Sequence, residues 1–285
     1  MSGHHHHDHG GDLDWNSMGE TIERRGEIYA PMYEQIVAAA RGFAPRPARI
    51  VDAGSGPGVV SLRLAAAYPE AEVVALDSAP ALLERAAHRA AERDVRLRTV
   101  LGTLPDAFAE LADVDVMWLG QSLHHVGDQR AALAAAARTL APGGVLVLLE
   151  GGLPARWLPR DIGFGRPGLQ SRITAANEEW FAAMRASLPG SRQETEDWPA
   201  LLAAAGLTPT ARTFLLDLPA PVTPAVREHL ATTMQRERDG GADHLAADDL
   251  AALDRLLDPD DPAGLHRRPD LFLLDAQTVY FAVRS

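Results

Sequence analysis

The segment Arg49-Ile50-Val51-Asp52-Ala53-Gly54-Ser55-Gly56-Pro57-Gly58-Val59-Val60 decides the fold of this 285-residue chain. A short apolar strand ends at Asp52, glycines alternate through a tight turn, and a helix follows. Glycine adopts positive φ and lets the backbone approach a ligand without a Cβ in the way. A strand that enters a helix through such a turn directs backbone N–H groups and the positive helix end to one place. The segment therefore predicts a nucleotide-type binding site.

The amino-acid composition limits the kinds of partner and chemistry that are expected of this protein. The formal net charge of -12 disfavours binding to nucleic acid or to an anionic membrane, so we expect a small-molecule partner. No apolar run reaches the ~18 residues of a membrane span and no signal-peptide core is present, which predicts a cytoplasmic protein. The sequence has no cysteine and no lysine, so thiolate metal sites, cysteine nucleophiles, Walker-A phosphate binding and Schiff-base chemistry are excluded. Composition leaves a homodimer open.

Apolar periodicity predicts the elements around the glycine segment. A Ser17-x-x-Glu20 capping box opens a helical region that extends to residue 40, with a break near Tyr29 caused by Pro31. Ser78 is expected to cap the helix at 79–93. The other predicted helices span 59–68, 128–140, 169–188, 197–205, 223–236 and 246–257, and the predicted strands span 49–52, 71–77, 95–101, 115–119, 145–150, 213–218 and 271–283.

The alternation of strands and helices from 49 to 150 predicts a parallel sheet with helices on both faces. Ligands of such sheets lie beyond the carboxyl ends of the strands, so Asp52, Asp77, Gly102 and Gly120 are expected in one crevice. We predict a disordered His-rich tail at 1–16, N-terminal helices with the core at 17–150, and lid or substrate-binding insertions with the last strands of the same domain at 151–285. The tail is an expression tag, a native start or a weak chelator, and no catalytic metal is predicted.

The spacing of the glycines distinguishes between cofactors. A dinucleotide fingerprint, G-x-G-x-x-G, would need a glycine at position 59, which is Val59. The G-x-G-x-G spacing after Asp52 instead resembles motif I of the class I S-adenosylmethionine-dependent methyltransferases, small-molecule branch. Asp77, the segment 121–126 and the turn at 140–144 resemble that family's later motifs, and the C-terminal 135 residues resemble actinobacterial natural-product methyltransferases. The resemblance implies an α/β fold, a doubly wound Rossmann-like sheet that is mostly parallel with an antiparallel last strand, and helical lid insertions.

The resemblance also implies S-adenosylmethionine as the cofactor. Asp77 would accept bonds from the ribose hydroxyls, or be an ordinary acid at a helix start. Asp52 would bind the cofactor ammonium through water or brace the turn. Many relatives have Gly-Asp after strand three where this chain has Gly102-Thr103, so a Thr hydroxyl or a backbone carbonyl would take the place of the acid at the adenine amino group. The implied cofactor-binding residues are Asp52, Gly54, Ser55, Gly56, Gly58, Asp77, Ser78, Gly102, Thr103, Leu104, Gly120, Gln121 and Ser122.

The chemistry requires alignment of the acceptor and, for a neutral nucleophile, a base. His124 and His125 are the candidates for a base or substrate contact, although histidines at a helix start are often structural. Arginines at 156, 160, 166 and 172 would suit a carboxylate- or phosphate-bearing acceptor, or else pair with acids elsewhere. The predicted substrate-binding residues are Tyr29, Tyr33, Trp157, Arg160, Arg166 and Trp180.

These observations predict in-line methyl transfer to a small acceptor, expected to be a specialised metabolite, at O, N or C. An NAD(P)-dependent oxidoreductase is disfavoured by Val59 and by the lack of a Tyr-x-x-x-Lys pair. A non-catalytic, S-adenosylmethionine-binding regulatory protein is disfavoured because the glycines and Asp77 are all present.

Overall fold

The computed structural model describes residues 15–285, with side chains from residue 18 onward. Its helices are α1 Trp15–Ile28, α2 Ala30–Ala40, α3 Val59–Ala67, α4 Pro80–Glu92, α5 Gln129–Thr139, α6 Leu169–Ser187, α7 Trp198–Ala204, α8 Pro224–Gly240 and α9 Ala247–Leu257. Its strands are β1 Arg49–Ala53, β2 Glu72–Asp77, β3 Arg98–Leu101, β4 Val114–Gly120, β5 Leu140–Arg156, β6 Leu207–Leu218 and β7 Leu273–Arg284. None of these helices is long and apolar enough to cross a membrane.

The strands form one seven-stranded sheet in the order β3-β2-β1-β4-β5-β7-β6. The first five in that order are parallel, whereas β7 runs antiparallel to both β5 and β6. The predicted doubly wound, mostly parallel sheet with an antiparallel last strand is confirmed. Because β1 to β4 are parallel, their carboxyl ends meet at one edge, where Asp52, Asp77, Gly102 and Gly120 lie.

The sheet separates two apolar cores, because successive side chains of a strand point to opposite faces. Ile50 belongs to the core that α2 and α8 cover, and Val51 to the core that α5 and α7 cover. The first core includes Met32, Ile36, Trp118, Val147, Leu230 and Phe281. The second includes Met117, Leu133, Leu146, Leu148 and Leu202. Both faces of the central strands are therefore buried, as the nearly continuous apolar strand sequences require.

The N-terminal region differs in part from its prediction. Helix α1 already includes Trp15, so Ser17 lies inside the helix and the predicted capping box is wrong. The predicted tail falls outside the described residues, apart from the first two residues of α1. The predicted break is confirmed, since α1 ends at Ile28 and Pro31 occupies the first turn of α2. A proline is tolerated there because the first helical N–H groups have no intrahelical partner.

Helix α4 is capped differently from the prediction. Its N-cap residue is Ala79, and the Ala79 N–H donates to Asp77 Oδ1 at 2.9 Å, while Ser78 is exposed. Ser78 is therefore not the N-cap, and no side chain caps α4. In contrast, the side chains of Asp128 and Thr223 cap α5 and α8, accepting from the N–H groups of Ala131 and Val226.

Two strands are longer than predicted. The predicted fifth strand ends at residue 150, but residues 151–156 continue β5, and Gly152 pairs with Gln277 of β7. Strand β6 begins at Leu207 rather than at 213, because the additional residues pair with the end of β7. The composition of these segments is poor in strand signals, so pairing with β7 overrides local propensity.

Candidate active site

The glycine turn after β1 has positive φ at Gly54, Gly56 and Gly58, of 74°, 53° and 74°. A Cβ at Gly54 would lie 2.5 Å from Cβ of Ser122, which follows β4, so no larger residue fits. At Gly56 a Cβ would meet only Ile22 of α1, at 3.6 Å. The turn therefore packs tightly against β4 at Gly54, whereas at Gly56 its only close neighbour among the described residues is Ile22 of α1.

Asp77, at the carboxyl end of β2, is held next to this turn. The Gly56 N–H donates to its Oδ2 at 2.8 Å and the Ala79 N–H to its Oδ1 at 2.9 Å. A carboxylate has about four acceptor positions, so two remain for the hydroxyl groups of a ligand.

Asp52, at the end of β1, is 3% exposed and accepts a bond from Ser61 Oγ at 2.6 Å. Burial raises the pKa of Asp52 to about 7, and the nearby charge of Asp77 adds to the shift. Because Ser61 lies in α3, this bond ties the strand to the helix across the turn. This hydrogen bond is the contact expected if Asp52 stabilises the turn.

Beyond β4, a short 3-10 turn at Leu123–His125 meets Glu150 of β5. Glu150 is 7% exposed, and its Oε1 accepts from the Leu123 N–H at 2.9 Å. Its Oε2 lies 3.2 Å from Nδ1 of His124. The carboxylate therefore assigns the Nδ1–H tautomer to His124 and leaves Nε2 as an acceptor.

Arg185 of α6 fixes the backbone of the same turn. It donates to the carbonyl oxygens of His124 at 2.7 Å and Val126 at 2.6 Å. The Phe181 ring lies 5.7 Å from the His124 ring, between centroids. Partial burial, together with His124 and Arg185, lowers the pKa of His125 to about 4. Helix α6 thus covers the pair of histidines.

Aromatic side chains extend from β4 towards β7 on the sheet face covered by α2. The Tyr33 ring lies 6.2 Å from Trp118, edge-on, and 6.3 Å from Tyr29. The Tyr29 hydroxyl donates to Asp275 Oδ2 at 2.7 Å. Burial raises the pKa of Tyr29 and of Tyr33, so both phenols stay protonated at neutral pH.

Helix α1 is fastened over the turn by ion pairs. Glu27 pairs with Arg63 of α3 at 2.7 Å and with Arg89 of α4. Partial burial would raise the pKa of Glu27, but Arg63, Arg89 and Arg93 hold it below its ordinary value. These charges place Ile22 across Gly56 and cover one side of the cleft.

Residues 50–144 match a family model described as a methyltransferase domain. Residues 50–144 therefore form a domain of the class I S-adenosylmethionine-dependent methyltransferase type. It is 35% identical over 174 residues to a trans-aconitate 2-methyltransferase of Methylobacterium nodulans, covering 57% of this chain and 58% of that protein. It is 39% identical over 118 residues to a ubiquinone/menaquinone biosynthesis C-methyltransferase of Syntrophotalea carbinolica, covering 40% and 48%. The chain thus spans about half the length of these relatives.

The fold of the chain is also similar to that of a solved structure. The YcgJ protein from Bacillus subtilis superposes with a TM-score of 0.50 at 19% identity, covering 88% of this chain and 99% of that one. Identity at this level carries the fold alone.

S-adenosylmethionine is the methyl donor of this family, and the residues of the cleft fit it. The three glycines of the turn would let the backbone pass close to the amino-acid part of the cofactor, and Asp77 keeps two acceptor positions for ribose. All predicted cofactor-binding residues lie at the carboxyl ends of β1 to β4, although Ser78 and Thr103 are exposed. Their contacts with the cofactor remain predictions. Among the described side chains, no group of three His, Asp or Glu could hold a metal ion.

The predicted acceptor-binding residues fall into separate places. Tyr29 and Tyr33 lie at the cleft. Trp157 is 5% exposed within the core on the α2 side, and its backbone N–H donates to Gln170 Oε1 at 3.1 Å. Trp180 of α6 is 45% exposed. The structure therefore brings only the two tyrosines close to the glycine edge.

Two arginines of the predicted lid form ion pairs with aspartates of the same region. Arg166 pairs with Asp248 at 2.8 Å and with Asp249 at 2.6 Å. Arg172 forms a bidentate pair with Asp249, at 2.8 Å for both bonds. Arg160 is exposed. The alternative that these arginines pair with acids elsewhere therefore holds for Arg166 and Arg172.

The prediction from sequence omitted two acids of the site. Glu150 stands at the carboxyl end of strand five in the sequence, the position that identified Asp77, so the same rule could have found it. Asp275 stands at the amino end of an antiparallel strand, and only the register of β7 brings it to this edge.

Proposed function

We propose that this protein transfers a methyl group from S-adenosylmethionine to a small-molecule acceptor, at an O–H or N–H group that His124 deprotonates. The observation that supports this most is the contact between Glu150 and His124. His124 follows β4, two residues after Ser122, and Ser122 packs on Gly54 of the glycine turn. The pair supplies an oriented base beside the donor cleft.

When bound, S-adenosylmethionine supplies an activated methyl group: the acceptor–CH3 bond forms as the S–CH3 bond breaks, and sulfur keeps the electron pair. Nε2 of His124 accepts the proton of the acceptor. Glu150 accepts the Nδ1–H and stabilises the imidazolium that results. His125 is the weaker candidate for the base, because a pKa of about 4 makes it a poor proton acceptor.

Alignment and exclusion of water are the other requirements of an in-line displacement. Helix α1 covers the cleft at Gly56 through Ile22, and its ion pairs hold it there. Helix α6 covers the histidines through Phe181 and Arg185. Together they close the cleft from two sides.

For the acceptor, we infer a specialised metabolite from the resemblance of the C-terminal segment to natural-product methyltransferases. The named substrate of the Methylobacterium relative, trans-aconitate, and the quinone pathway of the Syntrophotalea relative are consistent with a small molecule. The lid arginines give little support for a carboxylate on the acceptor, since Arg166 and Arg172 pair with Asp249.

Calorimetry with S-adenosylhomocysteine and with NADPH tests the donor site, and we expect only the former to bind. Release of S-adenosylhomocysteine is then measured with a panel of phenols, alcohols and amines. His124→Asn keeps an N–H donor towards Glu150 and should lower kcat about a hundredfold or more, while S-adenosylhomocysteine affinity stays unchanged. His125→Asn is the matched control and should have a smaller effect. Cofactor binding without turnover of any acceptor would favour the regulatory alternative.

A further inference from the structure

A buried polar cluster lies at the β7 end of the cleft. Asp275 is 3% exposed, and its two oxygens accept from the Tyr29 hydroxyl at 2.7 Å and from Gln277 Nε2 at 2.9 Å. His229 of α8 is 6% exposed and lies edge-on to Tyr29, with ring centroids 6.5 Å apart. Nδ1 of His229 is buried without a hydrogen-bond partner. The cluster therefore has a defined geometry, and one of its buried polar atoms has no hydrogen-bond partner.

The charge of the cluster is also incompletely compensated. Both hydrogen-bond donors to Asp275 are neutral, and no described side chain forms an ion pair with it. The nearby Arg25 guanidinium instead stacks on the Tyr29 ring, 5.2 Å from its centroid. Burial, with Arg25 and Arg24 nearby, lowers the pKa of His229 to about 4, so this ring stays neutral. A buried carboxylate in such surroundings favours a cationic partner.

The register places the cluster within reach of the donor cleft. Gly120 of β4 pairs with Leu149 of β5, which pairs with Val279 of β7. Gln277 and Asp275 precede Val279 along an antiparallel strand, so they lie further out at the edge where the glycine turn opens. Three strand spacings separate β1 from β7, about 14 Å. Trp118, Tyr33 and Tyr29 line this distance.

We propose that Asp275 binds a cationic amine of the methyl acceptor, at the end of the acceptor opposite to the donor cleft. Tyr29 and Gln277 hold the carboxylate in place, and Nδ1 of His229 accepts a second N–H of the ammonium. The packed aromatic rings of Tyr33 and Trp118 lie between this carboxylate and the donor cleft. This inference rests on the proposed function, because it assigns a part of the acceptor.

Three probes with one phenol ring and one two-carbon arm test the proposal: tyramine, tyrosol and 4-hydroxyphenylacetate. Each is titrated calorimetrically into the full chain saturated with S-adenosylhomocysteine. We expect tyramine to bind about tenfold or more tightly than the alcohol, and the carboxylate to bind least. Asp275→Asn should remove this preference. Asp217→Asn changes the net charge equally at an exposed position of β6 and should keep it.

Tyr29→Phe keeps the charge of Asp275 and should retain the preference for the amine, which provides a second variant if Asp275→Asn fails to fold. The ranking of the probes on the unmodified protein needs no variant at all. Equal binding of tyramine and tyrosol, or no binding of tyramine at millimolar concentration, would overturn the proposal. Failure of S-adenosylhomocysteine to bind would instead refute the proposed function, so the two failures are distinguishable.

Discussion

Replacement of Gly54 by alanine tests why the turn carries glycine. Gly54 has a φ of 74°, and an added Cβ would lie 2.5 Å from Cβ and 2.8 Å from Oγ of Ser122. Gly143 is a matched control: its φ is 77°, and an added Cβ there would have no atom within 4 Å. The two substitutions therefore share the backbone strain and differ in the clash.

The left-handed conformation costs an L-residue about 1–2 kcal/mol, which we expect for Gly143→Ala. Forcing an extra methyl group into packed surroundings adds about 1–3 kcal/mol, so Gly54→Ala should lose about 2–5 kcal/mol of the free energy of unfolding. Urea denaturation of the cofactor-free proteins measures both values. Gly54→Ala should also weaken the binding of S-adenosylhomocysteine, because the turn must shift, whereas Gly143→Ala should not.

Ser122→Gly removes both atoms that the new methyl group would meet. In the Gly54→Ala background it should recover most of the additional loss and leave the strain. The reasoning is refuted if the two single variants are equally destabilised, or if Ser122→Gly recovers nothing.

Two further predictions concern stability. His229 has a pKa of about 4 when folded and an ordinary value of 6.5, so unfolding takes up a proton between these values and stability falls as the pH falls. From pH 7 to pH 5, the free energy of unfolding of the His229→Gln variant should fall by about 2 kcal/mol less than that of the unmodified protein, as measured by urea denaturation. Parallel pH profiles of the two proteins would contradict this. Asp249 is 2% exposed and pairs with Arg166 and Arg172, so Asp249→Asn should lower the free energy of unfolding by about 1–3 kcal/mol. Asp248 is exposed and contacts Arg166 only at the surface, so Asp248→Asn should lower the free energy of unfolding by less than about 0.5 kcal/mol. Equal losses for the two variants would show that burial does not set the strength of these ion pairs.

The donor side of the site was predictable because its signals are local. The glycine spacing, the acid after β2 and the alternation of strands and helices each lie within a few consecutive residues. Asp52 and Asp77 were therefore predicted to lie at this edge of the sheet, where the structure places them, and their contacts with the cofactor stay predictions. Ser78 is not the cap of α4 because the helix begins one residue later than predicted, with Ala79 at the N-cap and Pro80 as its first residue.

The acceptor side depends on contacts between residues far apart in the sequence. Whether Arg166 faces a substrate or Asp249 is decided by the docking of α9, more than 80 residues later. Asp275 reaches the cleft only through the register of β7, and a shift of one residue would turn its side chain to the opposite face. No pattern in one sequence contains that information.

The position of β7 has a consequence for how the protein is made. This strand follows β6 in the chain, yet it lies between β5 and β6 in the sheet. While the ribosome is still synthesising β7, the backbone groups along one side of β5 have no neighbour, and β6 has nowhere to dock. Such an unprotected, apolar edge is the usual starting point for pairing between nascent chains. Strand β7 must therefore insert between two strands that are made before it, and until it does so the edges of β5 and β6 are open to aggregation.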